Sequence, residues 1–404
     1  MLTVEQALEQ ILSRVHVLPA ERVALLESLD RVLAEPIVST REIPPWPNSS
    51  MDGYAVRSAD THLGGPLRLV VIGRVPAGSM PEQPVGPGQA ARIFTGAPMP
   101  DGADAVIPQE DVEIDGTGIV VSHAVDAGAF VRPRGEDVRP GDSVLSPGQV
   151  IGPAEVGLLA TLGWPQVGVR RRPRVAILST GNELADLGHE PGPGQIPNTN
   201  TYSLMTQTRE AGGEPINLGV AADRLDDIED RLRAIEHADV LVSSAGVSVG
   251  DLDLVRAALE KLGAELHLWR VSMRPGKPIT FGSLHGRPLF GLPGNPVSAM
   301  VTFELFVRPA LRKMLGHAVL DRPRIMARAA QPIPNPGQRR GYLRVTLAPE
   351  GDQYAARLTG EQGSAILRSM VLADGFAVVP GDTVIEKGEG VEVIVLKPLT
   401  PLHI

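Results

Sequence analysis

The chain opens on an amphipathic pattern. Val4, Ala7, Leu8, Ile11, Leu12 and Val15 recur at helical spacing, which predicts a helix over Thr3–Val15 with Thr3 as its N-cap. A second helical pattern over Ala20–Leu33 ends before Pro36. From Leu67 to Val150 the texture changes. Short apolar runs at Leu69–Ile72, Ala105–Ile107, Ile119–Val121 and Ser143–Leu145 alternate with Gly and Pro turns, which predicts a small β-rich domain inserted in the chain. After the basic junction at 170–173 the pattern becomes strand, loop, helix. Strands at Val175–Leu178, Leu218–Val220, Val240–Val242 and Leu289–Phe290 alternate with helices at Thr201–Ala211, Arg224–Ile235, Asp253–Leu262 and Val297–Leu315. That alternation predicts an open α/β sheet. From Pro323 the chain is β-rich again, with a late strand at Val393–Leu396.

Three of the α/β units share one plan. Val240–Leu262 runs from an apolar strand through Ser244, Gly246, Ser248 and Gly250 into a helix that begins near Asp251 and Asp253. Arg174–Leu184 carries Ser179, Thr180, Gly181 and Glu183 after its strand. Pro288–Ala299 carries Gly294, then Asn295 as N-cap, Pro296 at the first helical position and Ser298 behind it. A strand that stops at a small-residue loop opening a helix presents free N–H groups and hydroxyls under a positive dipole, and so suits an anion. Parallel strands deliver such loops to one carboxyl edge, so the three are expected to converge.

Composition narrows this picture. With 404 residues, two to four domains are expected. The formal charge of −9 argues against a general nucleic-acid binder, and the absence of cysteine removes disulfides, thiolate catalysis and cysteine–zinc sites. The N-terminus lacks the basic and apolar regions of a signal peptide, and no apolar run is long enough to span a membrane; a cytoplasmic protein is expected.

Other polar groups stand out locally. Prolines 44, 45 and 47 stiffen the approach to a polar turn at Asn48–Asp52, whose Asp52 is either a turn residue or an ordered acid. Thr95 and Gly96 follow a strand. Arg132, Arg134, Glu136 and Asp137 bunch around Gly135, a pattern that also suits a solvated surface. Asp223 sits between a strand and a helix, where it either caps the helix or serves chemistry. Arg270, Arg274 and Lys277 share a proline-stiffened loop, which fits an anionic ligand. Arg339, Arg340, Ser364 and Ser369 are near one another in pattern only.

The stretches PNSSMDGYAV, RIFTGAPMPDGADAVIPQE, RPRGEDV, AILSTGNEL, AGVSVGDLD, MRPGKP and GLPGNPVSAMVTFELFVRPAL resemble the molybdopterin molybdotransferases, the MoeA proteins of bacteria and the E domain of gephyrin. The resemblance covers essentially the whole chain. It implies a multidomain α/β plus β fold forming an elongated homodimer. A central α/β molybdopterin-binding domain would comprise 1–21 and 173–318, and a small connecting domain 22–41 and 142–172. A β-rich inserted domain would span 42–141, and a C-terminal β-barrel-like domain 319–404. In the family the cleft lies between the α/β domain of one subunit and the β-rich domain of the other.

The implied reaction inserts molybdate into adenylylated molybdopterin and releases AMP. By resemblance, Asp52, Asp137, Glu183, Asp223 and Asp253 match the catalytic acids, and Glu183, Asp223 and Asp253 match candidate Mg2+ ligands. Thr95 and Arg132 match positions facing the cleft. The loop residues Ser179, Thr180, Gly181, Ser244, Gly246, Ser248, Gly250, Gly294, Asn295 and Ser298 are expected to bind substrate. So are Arg270, Arg274, Lys277 and Pro278. Arg340 and Ser364 match the region for molybdate. Ala245 replaces a family glycine, and Arg270 and Arg274 stand where many relatives have lysine. The adenylylated substrate should come from a separate adenylyltransferase, with which transient contact is possible. The competing readings are an adenylyltransferase-like enzyme and a non-catalytic dimeric scaffold; neither nucleic acid nor membrane is expected as a partner. Tungstate, close to molybdate in size and charge, is not distinguished by these residues.

Overall fold

Thr3 starts the first helix, α1 (Val4–Leu12), by a reciprocal cap. Its hydroxyl accepts from the Gln6 N–H at 3.2 Å, and the Gln6 side chain accepts from the Thr3 N–H at 3.0 Å. A computed structural model describes residues 1–244 and 254–401. After α1 come β1 (Ala20–Ala24), β2 (Ile37–Val38), β3 (Asn48–Ser49), β4 (Gly53–Val56), the single turn α2 (Ser58–Thr61), β5 (Leu67–Val75) and β6 (Gln89–Ile93). Next are β7 (Ala105–Pro108), β8 (Val112–Asp115), β9 (Gly118–Val121), β10 (Val131–Arg132), β11 (Ser143–Leu145), α3 (Pro153–Thr161) and β12 (Gln166–Arg170). The α/β part holds β13 (Arg174–Thr180), β14 (Leu184–Ala185), β15 (Ile196–Pro197), α4 (Asn200–Glu210), β16 (Glu214–Ala221), α5 (Leu225–Leu232), β17 (Val240–Ser244) and α6 (Leu254–Lys261). It continues with β18 (Glu265–Arg270), β19 (Met273–Arg274), β20 (Pro278–Leu284), β21 (Arg287–Leu292), α7 (Pro296–Thr302) and α8 (Arg308–Met314). The chain closes with β22 (Arg324–Ala329), β23 (Ile333–Asn335), β24 (Arg340–Glu350), β25 (Gln353–Leu358), α9 (Arg368–Leu372), β26 (Gly375–Val379), β27 (Thr383–Ile385) and β28 (Gly390–Val395).

The helix expected over Ala20–Leu33 does not form. Ala20–Ala24 is a strand with alternating burial, and Leu25–Ser28 is a 3-10 turn. Its partner explains why. β1 pairs antiparallel with β12 from Ala20↔Arg170 to Ala24↔Gln166, a contact some 140 residues away that local spacing cannot reveal. Leu33, Ile37, Leu145, Leu159, Val167 and Val169 form the core beneath this pair.

The β-rich sheet has the order β7-β4-β6-β5-β9-β8. Tyr54, Val56 and Ile107 face one core, while Ala55, Ile93 and Val106 face another, as period-two alternation requires. Both faces are therefore covered. β4 is so tightly flanked that a Cβ on Gly53 would lie 2.1 Å from the Ile107 carbonyl oxygen.

The α/β sheet has the order β16-β13-β17-β21-β20-β18. β16, β13, β17 and β21 are parallel, as the strand–loop–helix pattern predicts. β20 and β18, absent from that pattern, add an antiparallel edge. Val175, Ile177, Val240 and Val242 face α1, α4, α7 and α8, while Ala176, Leu178 and Leu241 face α5 and α6. The predicted helix over Val297–Leu315 forms as α7 and α8 joined by one π turn, Phe303–Val307. Pro309 has no N–H to give the Leu305 carbonyl, and a wider turn takes up that loss.

In the last region β24, β25, β22, β28 and β26 pair in sequence, and β26 pairs back onto β24. This closes a five-stranded barrel around Ala327, Leu343, Val345, Ala377 and Val393. No helix among the described residues is long and apolar enough to cross a membrane.

Candidate active site

Strand direction decides what meets at the α/β edge. The parallel strands β16, β13, β17 and β21 all point their carboxyl ends to one side. Asp223 follows β16, Gly181 and Glu183 follow β13, Ser244 ends β17, and Gly294 and Asn295 follow β21. The two antiparallel strands add to the same side. β18 ends and β20 begins there, with Arg270 opposite Pro278. The loop carrying Arg274 and Lys277 therefore hangs over the same edge. Three loops are expected to converge there; among the described residues four loops and the end of β17 do.

Hydrogen bonds fix several of these residues. The Asn182 N–H donates to Asp223 Oδ2, and the Asp223 N–H donates to Asn182 Oδ1, each at 3.2 Å. This ties the loop after β16 to the loop after β13. Gly181 adopts φ +140°, and a Cβ there would lie 2.5 Å from Glu183 Oε2, so the exposed Glu183 carboxylate folds back over a position that only glycine fits. Ser179 is fully buried, and its hydroxyl lies 2.7 Å from Thr201 Oγ1, inside the fold. Thr180 and Ser298 are buried also.

Asn200 is the residue that the sequence pattern missed. Its Nδ2 donates to Ser244 Oγ and to the Gly294 carbonyl, both at 2.7 Å, so one amide ties the end of β17 to the loop after β21. Its buried Oδ1 has no partner. The available signal was a polar side chain at the start of a predicted helix, which reads equally well as a cap. Asn295 stands at the N-cap position with Pro296 next, as expected, but its side chain reaches elsewhere: Nδ2 donates to Ser364 Oγ at 3.1 Å.

That bond leads into the barrel region. The Val297 N–H donates to the Ser364 carbonyl at 3.1 Å. β19 pairs in parallel with β24, Met273 opposite Arg340 and Arg274 opposite Gly341. Arg274 donates to the Pro336 carbonyl at 3.1 Å, and Arg339 donates to the Met273 carbonyl at 3.0 Å. Arg340, expected with Ser364, instead directs its guanidinium to Glu5 of α1. Beneath Ser364 lies Arg344, fully buried. Its Nε donates to Ser369 Oγ and its Nη2 to the Gly363 carbonyl, each at 3.1 Å, while Nη1 has no partner. Burial, with a smaller contribution from the Arg274 charge, pushes its pKa down to about 10. Arg344 is a charge set among Tyr342, Leu343 and Val345, the signal that could have found it.

A second group gathers on the β-rich sheet. Asp52 Oδ1 accepts from the Thr95 N–H and from the Thr95 hydroxyl, both at 2.8 Å. The carboxylate is exposed, and its pKa is lowered first by the Thr95 N–H, then by the hydroxyl and by the charge of Arg92. β10 places Arg132 opposite Asn48 of β3, four residues before Asp52. Asp137 lies on the following turn, its N–H held by the Ile43 carbonyl at 2.9 Å. Arg132 and Asp137 are both exposed. No hydrogen bond or ion pair among the described residues joins this group to the α/β edge.

Gly246, Ser248, Gly250 and Asp253 lie outside the described residues. Among the described residues, no three His, Asp or Glu side chains cluster to hold a metal ion. Glu183 and Asp223 are nonetheless hard oxygen donors on adjacent, tied loops. That donor set fits a Mg2+ that takes only one or two protein carboxylates and completes its shell with phosphate oxygens and water.

Family profiles match three successive regions: MoeA N-terminal region (domain I and II) over 2–163, a probable molybdopterin binding domain over 176–313, and MoeA C-terminal region (domain IV) over 326–396. A molybdopterin molybdenumtransferase of Nostoc sp. is 39% identical, with 93% of this chain and 88% of that protein covered. The molybdopterin molybdenumtransferase of Bacillus subtilis is 36% identical, with 93% and 90% covered. The crystal structure of a molybdopterin biosynthesis MoeA protein from Pyrococcus horikosii is similar with a TM-score of 0.85 and 37% identity, covering 99% of this chain and all of that one.

Proposed function

As this chain belongs to the molybdopterin molybdenumtransferase family, we propose that it inserts molybdate into adenylylated molybdopterin with release of AMP, as a transferase of molybdenum cofactor biosynthesis. The carrying observation is the convergence of four loops and the end of β17 with Arg274, Lys277 and Ser364 at one sheet edge. The substrate is a multiply charged phosphoanhydride, and the second substrate is a tetrahedral oxyanion. Both need donors and positive potential.

The roles divide as follows. Backbone N–H groups around Gly181, Gly294 and Asn295, with Ser244, cradle the phosphates. Arg270, Arg274, Lys277 and Ser364, beside Pro278, receive molybdate and neutralise charge on the departing AMP phosphate. Glu183 and Asp223 would hold Mg2+, which when bound would neutralise phosphate charge. Asp52, ordered by Thr95, and Asp137 with Arg132 stand on the opposite wall of the cleft. We assign that wall to the second subunit of a homodimer, since no hydrogen bond or ion pair among the described residues brings the two groups together. The domain bounds that accompany this reading are 1–21 with 173–318, 22–41 with 142–172, 42–141, and 319–404. The protein works in the cytoplasm, and the adenylylated substrate comes from a separate adenylyltransferase.

The test is AMP release by the purified protein from adenylylated molybdopterin, with and without molybdate and Mg2+. Molybdate-dependent release with active cofactor formed is expected. Tight pterin binding without turnover, or adenylylation of the pterin from ATP, would replace this reading. Mixed dimers of an Asp52→Ala chain and a Glu183→Ala chain should regain activity through one intact cleft; no recovery would rule out the shared arrangement.

A further inference from the structure

Away from the carboxyl edge, a cavity of about 520 Å³ opens between the β1–β12 unit and the far end of α4. Its volume is that of a small-ligand site. Its walls are unusual for a chain of net charge −9. Arg31, Arg172, Arg209 and Arg312 all line it, as does His317. Only two carboxylates join them, and Glu210 is already bonded to Arg322 at 2.7 Å. The other, Asp30, sits in a turn at φ +61°.

The four guanidinium groups differ in what they already hold. Arg31 is 8% exposed, pairs with Glu21, donates to the Arg170 carbonyl at 2.9 Å, and leaves its Nε without a partner. Arg312 has only neutral partners: it donates to the Val319 carbonyl at 3.0 Å and lies 3.3 Å from His317 Nδ1. Among the described residues, the side chains of Arg172 and Arg209 have no partner. The local potential registers on His317, whose pKa is pushed down to about 4 by burial and then by Arg312 and Arg308. At neutral pH its imidazole is uncharged, and a neighbouring anion would raise its pKa.

We propose that this cavity binds a small phosphate-bearing anion, with Arg172, Arg209 and Arg312 as its principal donors. Planar guanidinium forks match phosphate oxygens in pairs. Two guanidinium forks with no partner among the described residues line, together with that of Arg312, a cavity large enough for a nucleoside monophosphate. The site is separate from the sheet edge. Asn200, which ties the end of β17 to the loop after β21, begins α4, and Arg209 and Glu210 end it, roughly 14–15 Å away along the helix axis.

The experiment uses the full-length protein. Thermal melting is followed with millimolar inorganic phosphate or AMP against chloride at matched ionic strength, alongside the histidine side-chain NMR spectrum, with His317→Gln assigning its signal. Phosphate or AMP should raise Tm and shift the His317 signal, since His317 lines the cavity. In the double variant Arg172→Gln, Arg209→Gln the ligand should bind at least about ten-fold more weakly, the loss of charge-assisted bonds. Lys277→Gln should keep the effect, which separates this site from the sheet edge. A response to phosphate equal to that of AMP identifies the free anion; a response to AMP alone identifies the nucleotide. An unchanged Tm rise in the double variant, or a His317 signal blind to both ligands, overturns the proposal. So does a double variant whose oligomeric state changes while phosphate does nothing, because the cavity is then a contact with another chain.

Discussion

Replacing Arg344 with methionine should leave the protein about as stable as before while damaging its handling of molybdate. The wild-type side chain is a buried cation with no carboxylate bonded to it among the described residues. Its pKa falls from the ordinary guanidinium value to about 10, and at roughly 1.4 kcal/mol per unit the charged form carries a penalty of about 3 kcal/mol in the fold. The sign matters. A base whose folded pKa is depressed costs stability at every pH below that value, and the cost is relieved only as pH rises through about 10. At neutral pH the substitution therefore removes the whole penalty. Against it stand two lost bonds, to Ser369 Oγ and the Gly363 carbonyl, at about 1–3 kcal/mol each. Gly363 is exposed, so water can replace one donor, and Ser369 keeps its bond to the Ile366 carbonyl. The terms nearly cancel, and Tm should move by only a few degrees. What is lost is the grip on Gly363–Ser369, the segment that presents Ser364 to Asn295. KM for molybdate should rise about ten- to hundred-fold at saturating adenylylated molybdopterin, read as AMP release. A variant that melts far earlier yet keeps the wild-type KM would refute the reasoning, because Arg344 would then stabilise the fold and leave the site untouched.

Other substitutions test the remaining contacts. Asn200→Ala removes two bonds and should cost about 1–2 kcal/mol of stability, with a larger loss in kcat/KM. Asn200→Asp should be worse than alanine in both assays, since a carboxylate oxygen would face the Gly294 carbonyl; equal effects would show that the amide does not tie the loops. Gly181→Ala should cost about 1–3 kcal/mol by melting and lower turnover, because φ +140° disfavours a side chain and the new Cβ displaces the Glu183 carboxylate. Asp52 titrates below its ordinary 3.8, so the stabilisation from its Thr95 bonds is present above that value and is lost as pH falls through the lower folded pKa. The wild-type pH–rate profile should therefore show no Asp52 limb above 3.8, and Thr95→Val should move that limb upward; an unmoved profile would remove Thr95 as the cause.

The parts of the fold that were legible in the sequence are those whose partners are close along the chain. The Thr3–Gln6 cap and the strands of the parallel sheet follow from local spacing alone. The Ala20–Leu33 stretch was misread because its apolar spacing satisfies a helix, while the strand that captures Ala20–Ala24 lies at 166–170. The candidate site divides in the same way. Glycine and serine loops after apolar strands announced themselves, but the sequence could not tell a lining hydroxyl from a buried one, and Ser179 turned inward to Thr201. Asn200 and Arg344 were hidden because each acts through groups distant in sequence: Asn200 on Ser244 and Gly294, Arg344 on Gly363 and Ser369.

The antiparallel strands β18 and β20 explain how cations reach an edge that a purely parallel sheet would line only with strand–helix turns. A parallel neighbour of β21 would need a crossover and would send its return loop to the opposite side. An antiparallel pair at the end of the sheet instead makes its turn at the carboxyl edge, and that turn is the loop from Arg270 to Pro278. The same loop supplies β19, which joins β24 of the barrel through backbone pairing. The Val297 N–H and the Ser364 carbonyl make a second backbone tie nearby. The two regions are thus held at the edge by main-chain bonds that no side-chain substitution removes directly. Arg274, Asn295 and Ser364 add side-chain bonds across the same junction, but the main-chain ties remain when any one of them is substituted. The substitutions at this junction should accordingly separate chemistry from stability, which is the behaviour predicted above for Arg344.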